Sequence, residues 1–324
     1  MLNIQQIQEL VNHKLDTTNF TGEPKNLYEP IAYTLNMGGK RIRPVLCLMG
    51  AQLFNGNIDE AIYPALGLEV FHNFTLLHDD IMDNADVRRN MPTVHKKWNE
   101  NAAILSGDAM FVKAYQLISK CNNNKLPEVF NLFNELALGV CEGQQYDMDF
   151  EDRMDVTVDE YLEMIRLKTA ILLAGSLKTG AIIANASKEE AELIYQFGLN
   201  IGLAFQLQDD FLDSFGEKDT FGKKIGGDIV ANKKTFLLLT AIGKAKNEEA
   251  QELNSWITKK EFTQDEKIAA VKTIYQKLGV DKASQKKMDE YYNLAINSLN
   301  QINGNQDVKQ ELINFASKLM QRIS

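Results

Sequence analysis

Cysteine and proline are scarce in this chain. Its three cysteines, Cys47, Cys121 and Cys141, stand far apart with no Cys-x-x-Cys pair. An odd count at that spacing argues against a disulfide framework and a zinc site, and the three read as packing residues. With only six prolines in 324 residues, long unbroken helices are allowed. No Lys/Arg block occurs and the formal net charge is −9, so a nucleic-acid partner held through phosphates is not expected. No apolar run is long enough for a membrane span. The N-terminus carries Ile4, Ile7, Leu10, Val11 and Leu15 on a polar background, the spacing of an amphipathic helix rather than a leader. These absences point to a cytoplasmic protein without stable membrane insertion.

Val, Ile and Thr do not alternate regularly with polar residues, while Leu, Ala, Lys, Glu, Gln and Met dominate. The expected class is all-α. Helices are predicted over 3–15, 24–36, 41–54, 58–83, 97–120, 126–149, 157–173, 175–185, 188–214, 232–246, 262–278, 281–301 and 307–323. The breaks carry Gly, Asn, Asp or Pro, and the longest is the Gly- and Lys-rich stretch from Gly216 to Asn232. No Gly/Ser linker or low-complexity tract marks a boundary. One domain over 1–324, built as a single helical bundle, is the simplest organisation.

Against this background, TLLHDDIMDNADVRRNMPTVH stands out. Asp79, Asp80, Asp83 and Asp86 fall within eight residues at the end of an apolar helix, followed by Arg88 and Arg89. Asp79 and Asp83 are four apart and share a helix face. The pattern returns in FQLQDDFLDSFG, with Asp209, Asp210 and Asp213 again closing an apolar helix. Like charges at this spacing repel, and at a helix C-terminus they also oppose the macrodipole. A solvated helix end explains one such cluster; two with the same spacing call for divalent cations. Mg²⁺ suits them, because it is held by one or two carboxylates plus substrate phosphates. No calcium-loop pattern is present. Basic residues suited to phosphate lie in GGKRIRP (Lys40, Arg41, Arg43), GKKIGG (Lys223, Lys224) and NKKT (Lys233, Lys234). Each alone would pass for a solvated surface cluster.

Taken in order, GGKRIRP, LLHDDIMD followed by RR, KT, FQLQDD with a further Asp, GKKIGGD and KKT resemble the trans-isoprenyl diphosphate synthases, the polyprenyl synthetase family. The resemblance covers Gly38 to Thr235. It implies a single large antiparallel helical bundle around a deep central cavity, with the two acidic motifs facing each other at its mouth, and a homodimer. It implies Asp79, Asp83 and Asp209 as Mg²⁺ ligands, supported by Asp80, Asp210 and Asp213. About three Mg²⁺ per active site are implied with diphosphate bound, and Mn²⁺ could substitute. Arg88, Lys168, Lys223 and Lys233 would grip the allylic diphosphate, with Lys234 competing with Lys233. Lys40, Arg43, His72 and Arg89 would bind isopentenyl diphosphate without metal. Thr169, Gln206 and the Lys168 carbonyl would stabilise an allylic cation. His78 would be local support. The implied reaction is head-to-tail (1′-4) condensation of isopentenyl diphosphate with an allylic diphosphate.

Product length in this family is read just upstream of the first acidic motif. Phe74 stands five residues before Asp79, Thr75 stands four before, and Phe71 lies one turn deeper. With no insertion in the motif, this resembles the C20, geranylgeranyl, pattern, with C15, farnesyl, the close second. Both phenylalanines would otherwise read as core. Two other classes share the acidic signature. A class I terpene cyclase has no use for Lys40, Arg43 and Arg89, and a non-catalytic partner subunit of a heteromeric synthase tends to lose one acidic motif.

Overall fold

The computed structural model describes residues 1–216 and 225–320. The described chain is all-α apart from one short hairpin. Its helices are α1 (Ile4–Thr17), α2 (Lys25–Asn36), α3 (Ile42–Leu53), α4 (Ile58–Met82), α5 (Val94–Lys97), α6 (Glu100–Ile118), α7 (Leu126–Asp152), α8 (Val158–Ile165), α9 (Ile171–Ile183) and α10 (Lys188–Phe215). Helices Gly227–Val230, Phe236–Lys244, Asn247–Thr258, Gln264–Lys277, Val280–Gln301 and Gln306–Met320 follow. Side chains near the predicted helix starts begin several of them. Asn3 with Gln6 and Thr157 with Glu160 form reciprocal capping boxes, and Asn57, Asn99, Thr235 and Thr263 cap others. No described helix is long and apolar enough to cross a membrane.

The contacts form two compact units. The first comprises Met1–Asn134, Gly175–Ile194 and Asn303–Glu311. Helix α4 packs against α3 and α6 within it. Ala61, Leu66, Leu68, Val70 and Phe71 of α4 are fully buried. A helix apolar on nearly every side has no solvent face to keep, and each buried leucine contributes about 2 kcal/mol. Past the end of α4, Val87–Arg88 pairs antiparallel with Met91–Pro92. Arg89 and Asn90 between them have φ of 53° and 62°, the two-residue turn whose twist matches paired strands. The Tyr33 hydroxyl donates to the Pro92 carbonyl at 2.9 Å and anchors the hairpin. Strand periodicity gives no warning of so short a pair.

The second unit comprises Glu135–Ala174, Tyr195–Ile302 and the chain from Leu312. One of its apolar clusters gathers Tyr161, Ile165, Ala170, Leu203, Leu207, Phe236 and Met288. Another gathers Ile229, Leu237, Leu253, Val271, Ile274 and Tyr275. Here the structure departs from the sequence reading in three places. The expected break near residue 174 is absent, because α8 continues into α9 through a π-helical turn, Arg166–Ala170. Helix Asn247–Thr258 was not expected; it buries only Leu253, with Trp256 and Ile257 partly buried beside it, an apolar stripe only about one turn long. Cys141 is exposed, whereas Cys47 and Cys121 are buried as packing residues.

Candidate active site

In the first unit, α4 delivers the first acidic motif at its last turn. The Asp83 N–H donates to the Asp79 carbonyl at 2.8 Å and ends the helix. Asp83 is exposed and Asp79 half-buried, while Asp80 points inward and is buried. Arg88 Nε donates to both Asp80 oxygens at 2.8 and 2.9 Å, and Nη2 lies 2.8 Å from Oδ1. Asp80 is therefore neutralised by the hairpin, which in turn fixes Arg88. Among the described residues, no group of three or more His, Cys, Asp or Glu forms a ready metal cage. The donor set still fits Mg²⁺, because hard carboxylate oxygens at a solvent-facing helix end supply part of a shell that water and phosphate oxygens complete.

A cationic cluster lies in the same unit. Arg41 is not part of its ligand-facing set, since its buried guanidinium donates to Glu69 Oε1 at 3.0 Å, Asn12 Oδ1 at 3.2 Å and the Leu35 carbonyl at 2.6 Å. Arg43 differs, because its Nε is buried without a hydrogen-bond partner. Burial pushes Arg43 down to about 10, with Glu69 opposing and Arg89 reinforcing the shift. Burial also holds His72 well below its usual 6.5, helped by Arg43, Arg89, Arg88 and Arg41. Arg89 Nη1 donates to the Gly38 carbonyl. Arg89 is thus close enough to lower the protonation of both Arg43 and His72, and Arg43 that of His72, so that His72 stays a neutral imidazole beside guanidinium groups that suit an anion. The Lys40 carbonyl accepts from Gln8 Nε2 at 3.1 Å, and its side chain is exposed.

Below the acidic motif, aromatic rings join α4, α6 and the start of α7. Phe74 stacks on Phe111 at 5.1 Å and 24°. Phe71 lies 5.6 Å from Phe74, 5.8 Å from Phe111 and 5.4 Å from Phe133. Phe71 is fully buried, whereas Phe74, Thr75 and Phe111 are half-buried. Along α4, Thr75 is only about 40° from Asp79 around the axis and Phe74 about 140°. Thr75 shares the acidic face, and Phe74 closes the side towards α6. His78 contacts the Phe74 ring at 4.8 Å, and its Nε2 lies 3.2 Å from the Ile104 carbonyl. Phe111 and Tyr115 were not picked out from the sequence; their four-residue spacing on an apolar helix was the available signal.

In the second unit, the π turn presents Lys168 and Thr169. Ile171 N–H reaches back to the Arg166 carbonyl, an i→i−5 bond of the sort found at functional sites. Two glycines let neighbouring helices approach this turn. A Cβ on Gly143 of α7 would stand 2.3 Å from Lys168 N, and one on Gly202 of α10 would stand 2.7 Å from Ala170 Cα. Thr169 Oγ donates to Gln206 Oε1 at 3.2 Å, and Gln206 Nε2 donates to Asp210 Oδ1 at 3.0 Å. The Tyr161 hydroxyl donates to Asp210 Oδ2. Burial and the neighbouring Asp228 push Asp210 up to about 7. Asp210 thus anchors Gln206. Asp213 Oδ2 accepts from the Asp228 N–H at 2.9 Å and caps the short helix Gly227–Val230, and Asp209 is half-buried.

The predicted lysines separate in the same unit. Lys168 Nζ lies 2.6 Å from Asp147 Oδ2, and Lys233 Nζ lies 4.0 Å from that same oxygen. Lys234 donates instead to the Glu151 carbonyl at 3.2 Å. Lys223 lies outside the described residues. Asp147 and Tyr161 were not identified from the sequence. Asp147 sits in the acidic run DMDFED, where nothing local distinguishes one carboxylate from the next.

The polyprenyl synthetase family model matches residues 24–277. A geranylgeranyl diphosphate synthase of Sulfolobus acidocaldarius is 35% identical over 316 residues, covering 96% of this chain and 95% of that one. A geranylfarnesyl diphosphate synthase of Natronomonas pharaonis is 37% identical over 256 residues, 74% and 75% of the two chains. A crystal structure of geranylgeranyl pyrophosphate synthase superposes with a TM-score of 0.94 at 44% identity, covering 100% of both chains. The ordered motifs, the all-α fold and these similarities along most of the chain agree, and the protein belongs to the polyprenyl synthetase family.

Proposed function

We propose that this protein is a Mg²⁺-dependent trans-prenyltransferase that condenses isopentenyl diphosphate with allylic diphosphates to a C20, geranylgeranyl, product. The observation that carries this reading is the cluster of Arg43, His72 and Arg89, whose guanidinium groups lower the protonation of His72 and whose unpartnered Arg43 Nε suits a diphosphate anion bound without metal. A terpene cyclase has no use for such a site. Relatives named geranylgeranyl diphosphate synthase favour C20 over C15, and the geranylfarnesyl relative makes C25 the alternative on the longer side.

In this reading Asp79, Asp83 and Asp209 would hold Mg²⁺, which would supply positive charge to a departing diphosphate. Lys168, Lys233 and Arg88 add fixed cations to that leaving group, and Lys223 has the same assignment from the sequence. As the allylic C1–O bond breaks, the electron pair leaves with pyrophosphate and positive charge develops on the allyl group. The Thr169 hydroxyl donates its hydrogen bond to Gln206 Oε1, so its oxygen lone pairs remain to face that charge. Arg43, His72, Arg89 and Lys40 hold isopentenyl diphosphate while its C4 bonds to the allylic C1. The C2 proton then leaves to a pyrophosphate oxygen, so no side-chain base is required.

One catalytic domain over 1–324, a cytoplasmic location and a homodimer complete the proposal. The exposed Leu105 and Val112 lie seven residues apart on one face of α6 and suit a second copy. Purified protein with Mg²⁺, labelled isopentenyl diphosphate and dimethylallyl, geranyl or farnesyl diphosphate tests the reaction. A dominant C20 product supports the whole reading. C15 or C25 keeps the reaction and changes the length, and no condensation with any primer sinks it.

A further inference from the structure

Lys168 and Lys233 are 65 residues apart in sequence, yet Lys168 Nζ lies 2.6 Å and Lys233 Nζ 4.0 Å from one oxygen of one carboxylate, Asp147 Oδ2. Asp147 projects from α7 one turn beyond Gly143, the residue that lets α7 touch the backbone of Lys168. The same helix face therefore sets both the root and the tip of the Lys168 side chain. The carboxylate is 18% exposed, and the lysines hold it ionised below its usual range despite the opposing effect of burial. On the other side, the Lys234 Nζ bond to the Glu151 carbonyl fixes the chain next to Lys233.

We propose that Asp147 is a positioning residue that gathers Lys168 and Lys233 into a preformed diphosphate clamp. This rests on the prenyltransferase reading for the identity of the substrate, but not for the clamp itself. Two ammonium groups brought this near repel, and each flexible lysine stem must give up side-chain freedom to be held in place. A shared carboxylate offsets the repulsion and meets the ordering cost before substrate arrives. Lys168, Lys233 and Asp147 together carry a formal net charge of +1. Asp147 itself does not touch the reacting atoms.

Asp147→Asn keeps the shape and removes the charge. It should raise the KM for the allylic diphosphate about tenfold, the worth of one hydrogen bond between charged groups. The KM for isopentenyl diphosphate should stay within about twofold, a split that general destabilisation would not give. Calorimetry with inorganic pyrophosphate and Mg²⁺ should show the same weakening without any turnover. That measurement separates failure of the clamp from failure of the prenyltransferase reading, because it needs no condensation. Asp147→Glu restores the charge but displaces it by one methylene, so its allylic KM should rise about threefold, between wild type and Asn. It also provides the test if the Asn variant does not fold. Unchanged or tighter pyrophosphate binding in Asp147→Asn overturns the proposal, since the carboxylate would then merely compete with substrate for the lysines. Equal losses for both diphosphates in a folded variant, or a Glu variant indistinguishable from wild type, overturn it too.

Discussion

Replacing Phe74 by alanine should lengthen the product by one isoprene unit. The ring stacks on Phe111 at 5.1 Å, with Phe71 next at 5.6 Å. An isoprene unit adds four chain carbons, about 5 Å of extended chain from C–C bonds near 1.5 Å. Removing the Phe74 ring therefore opens space for one unit, and the fully buried Phe71 becomes the next stop. A C20 enzyme should become a C25 enzyme, with little C30. Phe→Ala in cores costs about 3–5 kcal/mol; half-buried Phe74 belongs at the low end. Product sizing after dephosphorylation, alongside a urea melt, reads both quantities. The converse change, Thr75→Phe, puts a ring about 40° from Asp79 and should shorten the product to C15. Unchanged length in folded Phe74→Ala protein would refute the aromatic layer as the floor.

Gly143→Ala would drive a Cβ to 2.3 Å from Lys168 N, and should cost about 1–3 kcal/mol of stability while lowering kcat about a hundredfold, because a displacement near 1 Å misplaces the reacting groups; wild-type kcat in this variant would show that the π turn tolerates movement. Lys233→Ala should raise the allylic KM about tenfold and Lys234→Ala less than about twofold, a ranking that steady-state kinetics with the two variants can reverse. His72 binds its proton less readily folded than unfolded, so the unfolded chain holds more protons just below pH 6.5. Stability is then fully present above 6.5 and falls as pH drops towards the folded value, by at most about 1.4 kcal/mol per pH unit. Asp210, pushed up to about 7, opposes this trend in the same window, so urea midpoints should rise less with pH in His72→Asn than in the parent, and an identical slope in the variant would reject the burial argument.

Several misses have local causes. Helix Asn247–Thr258 went unread because its apolar stripe, Leu253, Trp256 and Ile257, spans only about one turn on a polar background. The Val87–Arg88 hairpin was too short for alternation to show, though Arg89–Asn90 forms its turn. Nothing in GGKRIRP says by itself that Arg41 will be locked onto Glu69 while Arg43 keeps a free donor; the resemblance to the family assigned Arg43, and the contacts supply the reason.

By itself the sequence determined the helical class, most helix spans and the two Asp-x-x-x-Asp faces, because these depend on composition and on residues three or four apart along one helix. The ordered motifs also sufficed to point to the family. Only the tertiary structure decided which charges are spent and which remain. Asp80 is satisfied by Arg88, Asp210 by Tyr161 and Gln206, and Asp213 by the Asp228 N–H. The meeting of Lys168 and Lys233 at Asp147 was equally invisible, since it joins α7, a π turn and a distant loop. Periodicity reports which face a residue occupies, whereas a carboxylate's role depends on which cation folding brings within about 3 Å of it.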